Sequence, residues 1–232
     1  MNVQENYLQL LGEQVKPALG CTEPVAIALA SAKGSSLLEG EIQSIKIEAS
    51  KGVFKNAHGV GIPKTAETGI LIAAALGAIA GEPEAGLEVL QNVTSHDVEK
   101  ANHLVEEGKV SACFVDSPEG VYVKARIEKT EGWAVVCIEG QHNHISYIAK
   151  NNQILYSEKF TVLNGKTSFS LKEVSVADII TIVESLDFQA LAFLLEGVEM
   201  NKRIALEGIR GRAGLKIGYG LALLQGKGIL GR

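Results

Sequence analysis

The sequence VYVKARIEKTEGWAVVCIEG, residues 121–140, alternates apolar and polar residues on both sides of a turn at 130–132. Successive side chains of an extended chain point to opposite faces, so the first half of this segment has one apolar and one polar face. The apolar face carries Val121, Val123, Ala125 and Ile127, and the polar face carries Tyr122, Lys124, Arg126 and Glu128. This pattern predicts a β-hairpin with one solvated or lightly covered face.

Similar runs flank the hairpin. VSACFVD begins at Val110 and HISYIAK begins at His144, and turn residues separate them from the hairpin at 117–120 and 140–141. Together with the run at residues 41–50, they predict a central antiparallel sheet of about four to five strands.

Both ends of the chain have the apolar spacing of helices. The predicted helices lie at residues 7–15, 25–33, 68–81, 84–106 with a break near 92–95, 176–186, from Asp187 to about 207, and 212–224. The order helices, sheet, helices, without regular alternation of the two, predicts an α+β fold. We expect a helical part, residues 1–108 and 161–232, with the meander of residues 109–160 inserted in it or packed on it.

The segment TGILIAAALGAIAG, residues 68–81, is strongly apolar. It is shorter than the roughly 20 residues needed to cross a bilayer, and Glu67 and Glu82 bracket it. We therefore predict a buried helix. Gly69 and Gly77 belong to a stripe of small residues repeated at every fourth position, along which another backbone is expected to approach closely.

The composition excludes several classes of partner. The 232 residues include 22 basic and 27 acidic side chains, giving a formal net charge of −5 without long runs of one sign. We therefore predict no nucleic-acid and no membrane partner. The chain has 3 cysteines, far apart in sequence, and no signal-like N-terminus, which together indicate a reducing compartment and a cytoplasmic protein.

The segment PALGCTEPVAIALA, residues 17–30, places Cys21 directly before a predicted helix. A residue that precedes proline disfavours helical conformation, so Glu23, before Pro24, is the predicted N-cap. Cys21 then lies in the positive field of the helix N-terminus, which favours the thiolate, the form that acts as a base, nucleophile or metal ligand. The alternative is that Cys21 fills a small gap beside a turn at Gly20.

The remaining thiols and a histidine pair give weaker signals. Cys113 and Cys137 lie between apolar neighbours in strand patterns, which favours buried structural thiols, and the sequence has no CxxC pair that would indicate a zinc or iron–sulfur motif. His142 and His144 are two positions apart on a predicted strand, on one face. A third metal ligand is not obvious, so we favour His142 as a single polar site residue.

The glycine-rich segment GVGIPK, residues 59–64, lacks the third glycine of a dinucleotide-binding motif. A second interpretation is an anion site, because the amides of Lys64, Thr65 and Ala66 would head the following helix and could receive a carboxylate. A plain loop that enters the helix is equally compatible with the spacing.

Four segments carry a family resemblance: PALGCTEPVAIALA, GVGIPKTAETGILIAAALGAIAGEPEAGLEVL, IEGQHNHI and FLLEGVEMNKRIALEGIRGRAGLKIG. With them the chain resembles the L-cysteine desulfidase family (UPF0597), which is related to the alpha part of iron–sulfur-dependent L-serine dehydratase. The resemblance implies a lyase of amino-acid catabolism that converts L-cysteine to sulfide, ammonia and pyruvate by β-elimination, without pyridoxal phosphate. L-Serine is the other substrate that it implies.

The same resemblance implies the site residues. The cysteine of the GCTEP motif, Cys21, corresponds to the family's catalytic base. The substrate-binding residues that it implies are Thr22, Glu23, Asn56, Lys64, Thr65, His142 and Asn143.

The resemblance also implies a [4Fe-4S] cluster, whose cysteine ligands lie in a C-terminal half of the family. Cys113 and Cys137 do not stand in their place, so we expect this chain to be the N-terminal portion of the enzyme, without the cluster ligands and inactive alone. The alternative is a non-catalytic small-molecule-binding or interaction module that pairs with a separate cluster-bearing chain. In both cases an exposed apolar surface is expected on the last helices, where the missing half or partner would dock or where copies of the chain would form a homo-oligomer.

Overall fold

The computed structural model describes residues 3–117, 120–158, 174–211 and 215–229. The chain forms two compact units, one from Pro17–Leu163 and the other from Met1–Lys16 together with Asn164–Arg232. The helix after the GCTEP motif belongs to the same unit as the sheet.

The larger unit is built on one mixed β-sheet of six strands. The strands are β1 (Ile42–Ser50), β2 (Val110–Val115), β3 (Tyr122–Lys129), β4 (Gly132–Glu139), β5 (Ile145–Lys150) and β6 (Gln153–Ser157). Their spatial order is β2-β1-β3-β4-β5-β6. The α+β class is confirmed, and the strand number is slightly higher than predicted because residues 153–157 form an additional edge strand.

The predicted wholly antiparallel sheet is wrong at one edge. Strand β2 pairs in parallel with β1, with Ile45 opposite Val110, whereas β3 to β6 form the expected antiparallel meander. A parallel pair requires a long crossover connection, and the helices between β1 and β2 provide it. Alternation of apolar and polar residues fixes the faces of a strand but not its neighbour, so it could not reveal this pairing.

Helices cover one face of the sheet. They are α2 (Thr22–Ser36), α3 (Lys51–Ala57), α4 (Ile70–Ala80), a 3₁₀ helix (Pro83–Glu88) and α5 (Ser95–Glu106). Helix α3 was not predicted, because its glycine and polar residues are typical of a loop. It forms directly after β1 and buries Val53 and Ala57.

The core lies between this helical layer and the sheet. Alternate residues of β3 and β4, including Ala125, Ile127 and Val136, are completely buried there. Helices α2 and α4 lie close together at Gly77. A Cβ atom on Gly77 would collide with the backbone carbonyl of Ala28. The predicted close approach of a backbone is confirmed at this glycine.

The smaller unit is helical in its described residues. Its helices are α1 (Val3–Gln14), α6 (Val176–Ser185), α7 (Phe188–Leu191), α8 (Phe193–Ile209) and α9 (Ile217–Gly226). Helix α6 begins with a capping box, in which Ser175 and Asp178 bond each other's backbone amides, and Asp187 caps α7. Several apolar side chains of α8 and α9 are exposed, such as Ile204 and Leu221.

The last helix was predicted for residues 212–224, of which 212–214 lie outside the described residues. Within the described ranges, the structure contains no helix whose length and hydropathy would allow it to cross a bilayer.

Candidate functional site

The candidate site begins at the N-terminus of α2. Cys21 is the N-cap residue, with extended backbone angles of φ −68° and ψ 132°, and the helix starts at Thr22. The prediction that Glu23 is the N-cap is therefore wrong by two residues. Pro24 lies in the first turn, where a backbone amide has no bonding partner within the helix. The missing amide hydrogen of proline therefore breaks no helical bond, and the helix can begin before Pro24. The turn predicted at Gly20 is present, with a φ of 77°.

A hydrogen-bonded group joins α2 to α3. The Cys21 thiol donates to Oε2 of Glu23 over 2.8 Å, and Nδ2 of Asn56 donates to Oε1 of the same carboxylate, also over 2.8 Å. Cys21 and Glu23 are half-buried and Asn56 is exposed. Because α3 follows β1 directly and α2 packs on the sheet, the core fixes the two helix ends that carry these groups.

A third segment lies near enough to this carboxylate for its charge to matter. His142 lies in the loop between β4 and β5, and its positive form would interact favourably with Glu23. Burial lowers the pKa of His142, and the charge of Glu23 only partly offsets this effect. The imidazole is therefore neutral around pH 7. The structure thus brings together four of the predicted site residues, Cys21, Glu23, Asn56 and His142.

The ionisation of this group differs from the predicted one. Burial raises the pKa of Cys21, and the hydrogen bond and negative charge of Glu23 raise it further, whereas the nearby amides of Thr22 and Glu23 act in the opposite direction and are outweighed. Burial also raises the pKa of Glu23, but the hydrogen bonds from Cys21 and Asn56 reverse the shift, so the pKa of Glu23 is lowered overall. The resting state is therefore a thiol beside a carboxylate, and the predicted thiolate is wrong for this state.

The glycine-rich loop lies close to the thiol segment. A Cβ atom on Gly20 would be in contact with the ring of Pro63, 3.7 Å away. A bridge between Gly61 and Thr68 closes the loop, and Lys64 is exposed near its tip with a φ of 62°. This left-handed conformation is uncommon for a residue other than glycine.

The predicted anion seat at the head of the next helix is wrong in its geometry. Helix α4 begins at Ile70, so the amides of Lys64, Thr65 and Ala66 lie in a turn well before it. The hydroxyl of Thr65 donates to the carbonyl of Ile62 and accepts from the amide of Glu67, which gives this side chain a role in shaping the loop.

The other predicted site residues lie next to the central group. Thr22 is the first residue of α2, and Asn143 is half-buried beside His142. His142 and His144 both precede β5, so the prediction that they lie on a strand is wrong. The ring of His144 contacts the carbonyl of Glu139 and the carboxylate of Glu158.

The described residues do not fit a [4Fe-4S] cluster. Cys113 is exposed on strand β2, whereas Cys137 is buried on β4. In the described ranges, no three His, Cys, Asp or Glu side chains are arranged to hold a metal ion. The cluster implied by the resemblance would need ligands from elsewhere.

The face of the sheet opposite the helices α2 to α5 holds a feature that the sequence did not reveal. An open cavity of about 420 Å³ lies there, lined by Tyr122, Lys124, Val135, Cys137, Glu139, Ser146, Tyr147, Ser157 and Glu158. Burial raises the pKa of Cys137 to about 11. Cys137 is 8% exposed, so the prediction of a buried thiol is confirmed here and is wrong for the exposed Cys113.

Comparison with known proteins gives matches over almost the whole chain. A UPF0597 protein of Clostridium botulinum (strain Langeland) is 36% identical over 231 residues, which cover 99% of this chain and 53% of the relative. A UPF0597 protein of Alkaliphilus oremlandii is 37% identical over 232 residues, covering 99% of this chain and 54% of the relative. The UPF0597 protein YhaM of Escherichia coli O1:K1 is 35% identical over 232 residues, covering 98% and 53%.

The fold and the site define an α+β protein with a cysteine at the start of a helix. The chain matches UPF0597 proteins over almost its whole length, and it spans about half the length of these curated relatives. No family model matches it, and no solved structure matches it.

Proposed function

We propose that this chain is the N-terminal part of a cysteine desulfidase-like lyase, and that Cys21 is the base that accepts the α-proton of the amino-acid substrate. The observation that carries the proposal is the contact of the Cys21 thiol with Glu23, in a group that also includes Asn56 and His142. General acid–base chemistry requires a titratable group held by partners within hydrogen-bond distance, and this group meets that requirement.

The substrate class follows from the charges at the site. A free amino acid carries an ammonium and a carboxylate group, and Glu23 offers a negative charge for the former. Lys64, exposed on the loop that lies against Gly20, offers a positive charge for the latter. In the proposed reaction Cys21 takes the Cα proton of L-cysteine and the Cβ–S bond breaks. Sulfide and an enamine are released, and the enamine hydrolyses to pyruvate and ammonia.

One observation favours the second candidate function. The raised pKa of Cys21, caused by burial and by Glu23, makes the thiol a poor base in the free protein. A module that binds a small amino acid without turnover, beside a separate cluster-bearing chain, would tolerate such a thiol. Catalysis would instead require that the thiol ionise when substrate binds.

Calorimetric titration and an activity assay test these functions together. The wild-type chain should bind L-serine, which resembles L-cysteine without adding a thiol. It should also release sulfide and pyruvate from L-cysteine when it is co-expressed with the half of the C. botulinum relative that it does not match and reconstituted anaerobically with iron and sulfide.

Two variants separate the outcomes. Cys21→Ser should bind L-serine and lack turnover, whereas Cys113→Ser, which alters an exposed thiol on the edge strand, should retain turnover. Binding of L-serine without turnover by the wild-type chain and by Cys113→Ser would favour the non-catalytic module. Turnover by Cys21→Ser at the wild-type rate would exclude Cys21 as the base.

A further inference from the structure

The carboxylate of Glu23 has an unusual set of partners. One oxygen accepts from the thiol of Cys21 and the other from the amide of Asn56, each over 2.8 Å. Among the described residues, none of the salt bridges involves Glu23. A half-buried carboxylate is thus held by two neutral donors, and no cation of these ranges forms a salt bridge with it.

We infer that Glu23 is the receptor for the α-ammonium group of the substrate, and that this cation, by taking the carboxylate from Cys21, allows the thiol to ionise. The inference rests on the proposed function, because it assigns the amino-group contact of the same site. Each carboxylate oxygen has more than one lone pair, so the ammonium group can bind while Asn56 keeps the side chain oriented.

The physical reason is the balance of effects on Cys21. Burial, the hydrogen bond to Glu23 and the charge of Glu23 all oppose its ionisation, and the last two depend on one carboxylate. A cation bound to that carboxylate neutralises its charge and replaces the thiol as its hydrogen-bond donor. The thiol then loses its proton to water, and the resulting thiolate accepts the Cα proton of the substrate, which restores the thiol.

This arrangement makes the base available only when substrate is present. The groups that face Glu23 in the described residues are Cys21 on its own helix, Asn56 from α3 and His142 from the loop between β4 and β5. His142 is neutral around pH 7 because burial lowers its pKa, so it leaves the charge of Glu23 available for the ammonium group.

Ultraviolet absorbance of the thiolate tests the inference on the whole chain without turnover. The difference between wild type and Cys21→Ser, followed against pH, gives the pKa of Cys21. Saturating L-serine should lower this pKa by about one unit, which is about tenfold more thiolate at a given pH below it. N-acetyl-L-serine, which lacks the cation, should leave it unchanged. Glu23→Gln should lower it without ligand, and Glu131→Gln, in an exposed turn, should not.

The outcomes distinguish this inference from the proposed function. L-Serine that binds by calorimetry but leaves the pKa of Cys21 unchanged would overturn the inference alone, and absence of any binding would overturn the proposed function as well. Asn56→Ala keeps the charge of Glu23, so the pKa of Cys21 should stay high and still respond to L-serine. If the pKa of Cys21 fell as far in Asn56→Ala as in Glu23→Gln, the site would have loosened as a whole, and the inference would be overturned.

Discussion

Replacement of Gly77 by alanine should destabilise the larger unit by about 2 kcal/mol. The added Cβ atom would meet the carbonyl oxygen, Cα and carbonyl carbon of Ala28 on the neighbouring helix. Overpacking of a core typically costs about 1–3 kcal/mol, and the upper end applies here because a backbone cannot rotate away. The higher helix propensity of alanine returns about 1 kcal/mol. The remainder corresponds to a change of about 30-fold in the unfolding equilibrium.

Urea unfolding monitored by fluorescence measures this effect within the correct unit. Trp133 is the only tryptophan in the sequence and lies on β4, so its emission reports on the unit that contains Gly77. With a slope of about 2 kcal/mol per molar urea, the midpoint should fall by about 1 M. Gly52→Ala is the matched control, because its Cβ atom would make only an ordinary contact of 3.8 Å. Equal midpoints for wild type and Gly77→Ala would refute the close approach of the two backbones.

Two further predictions concern titratable side chains. In the native protein at pH 8, iodoacetamide should modify the exposed Cys113 rapidly and leave Cys137 unmodified, because burial raises the pKa of Cys137 to about 11. Peptide mass mapping would measure the modification of each thiol. Modification of both thiols at equal rates would contradict the prediction. The affinity for L-serine should fall as the pH drops through the lowered pKa of His142, below the ordinary value of 6.5. The sign follows because protonated His142 places a competing cation beside Glu23. Calorimetry at several pH values should show this fall in wild type and in His103→Gln but not in His142→Gln, and a fall of the same size in His142→Gln would exclude His142 as its source.

Strands β3, β4 and β5 of the meander were predictable from local pattern alone, whereas β6 was not. The alternation is clearest in β3, where Val123, Ala125 and Ile127 are fully buried and their neighbours are not. The parallel edge was not predictable in this way, since β2 has the same kind of alternation as a meander strand. Its partner is chosen by the path of the intervening helices, which no short segment encodes.

The membership of the site could be predicted better than its chemistry. The position of Cys21 before a helix and the spacing of the histidines indicated Cys21 and His142, and the family resemblance added Glu23 and Asn56. The ionisation of Cys21 was predicted with the wrong sign, because the helix field depends on sequence position whereas burial and the Glu23 contact depend on folded geometry. The contact across two helices, from Glu23 to Asn56, also exists only after folding.

The pairing of β2 with β1 has a consequence for the order of folding. The hairpins of the meander join strands that are adjacent in the chain, whereas Ile45 finds its partner Val110 only after three α-helices have intervened. Contacts of long sequence separation require costly loop closure and form late. Pulse-labelling hydrogen exchange during refolding should therefore protect amides of β3 and β4 before those of β2, and simultaneous protection would argue for a single concerted step. Until that edge closes, the outer side of β1 remains an unpaired strand edge, the kind of surface through which partly folded chains associate.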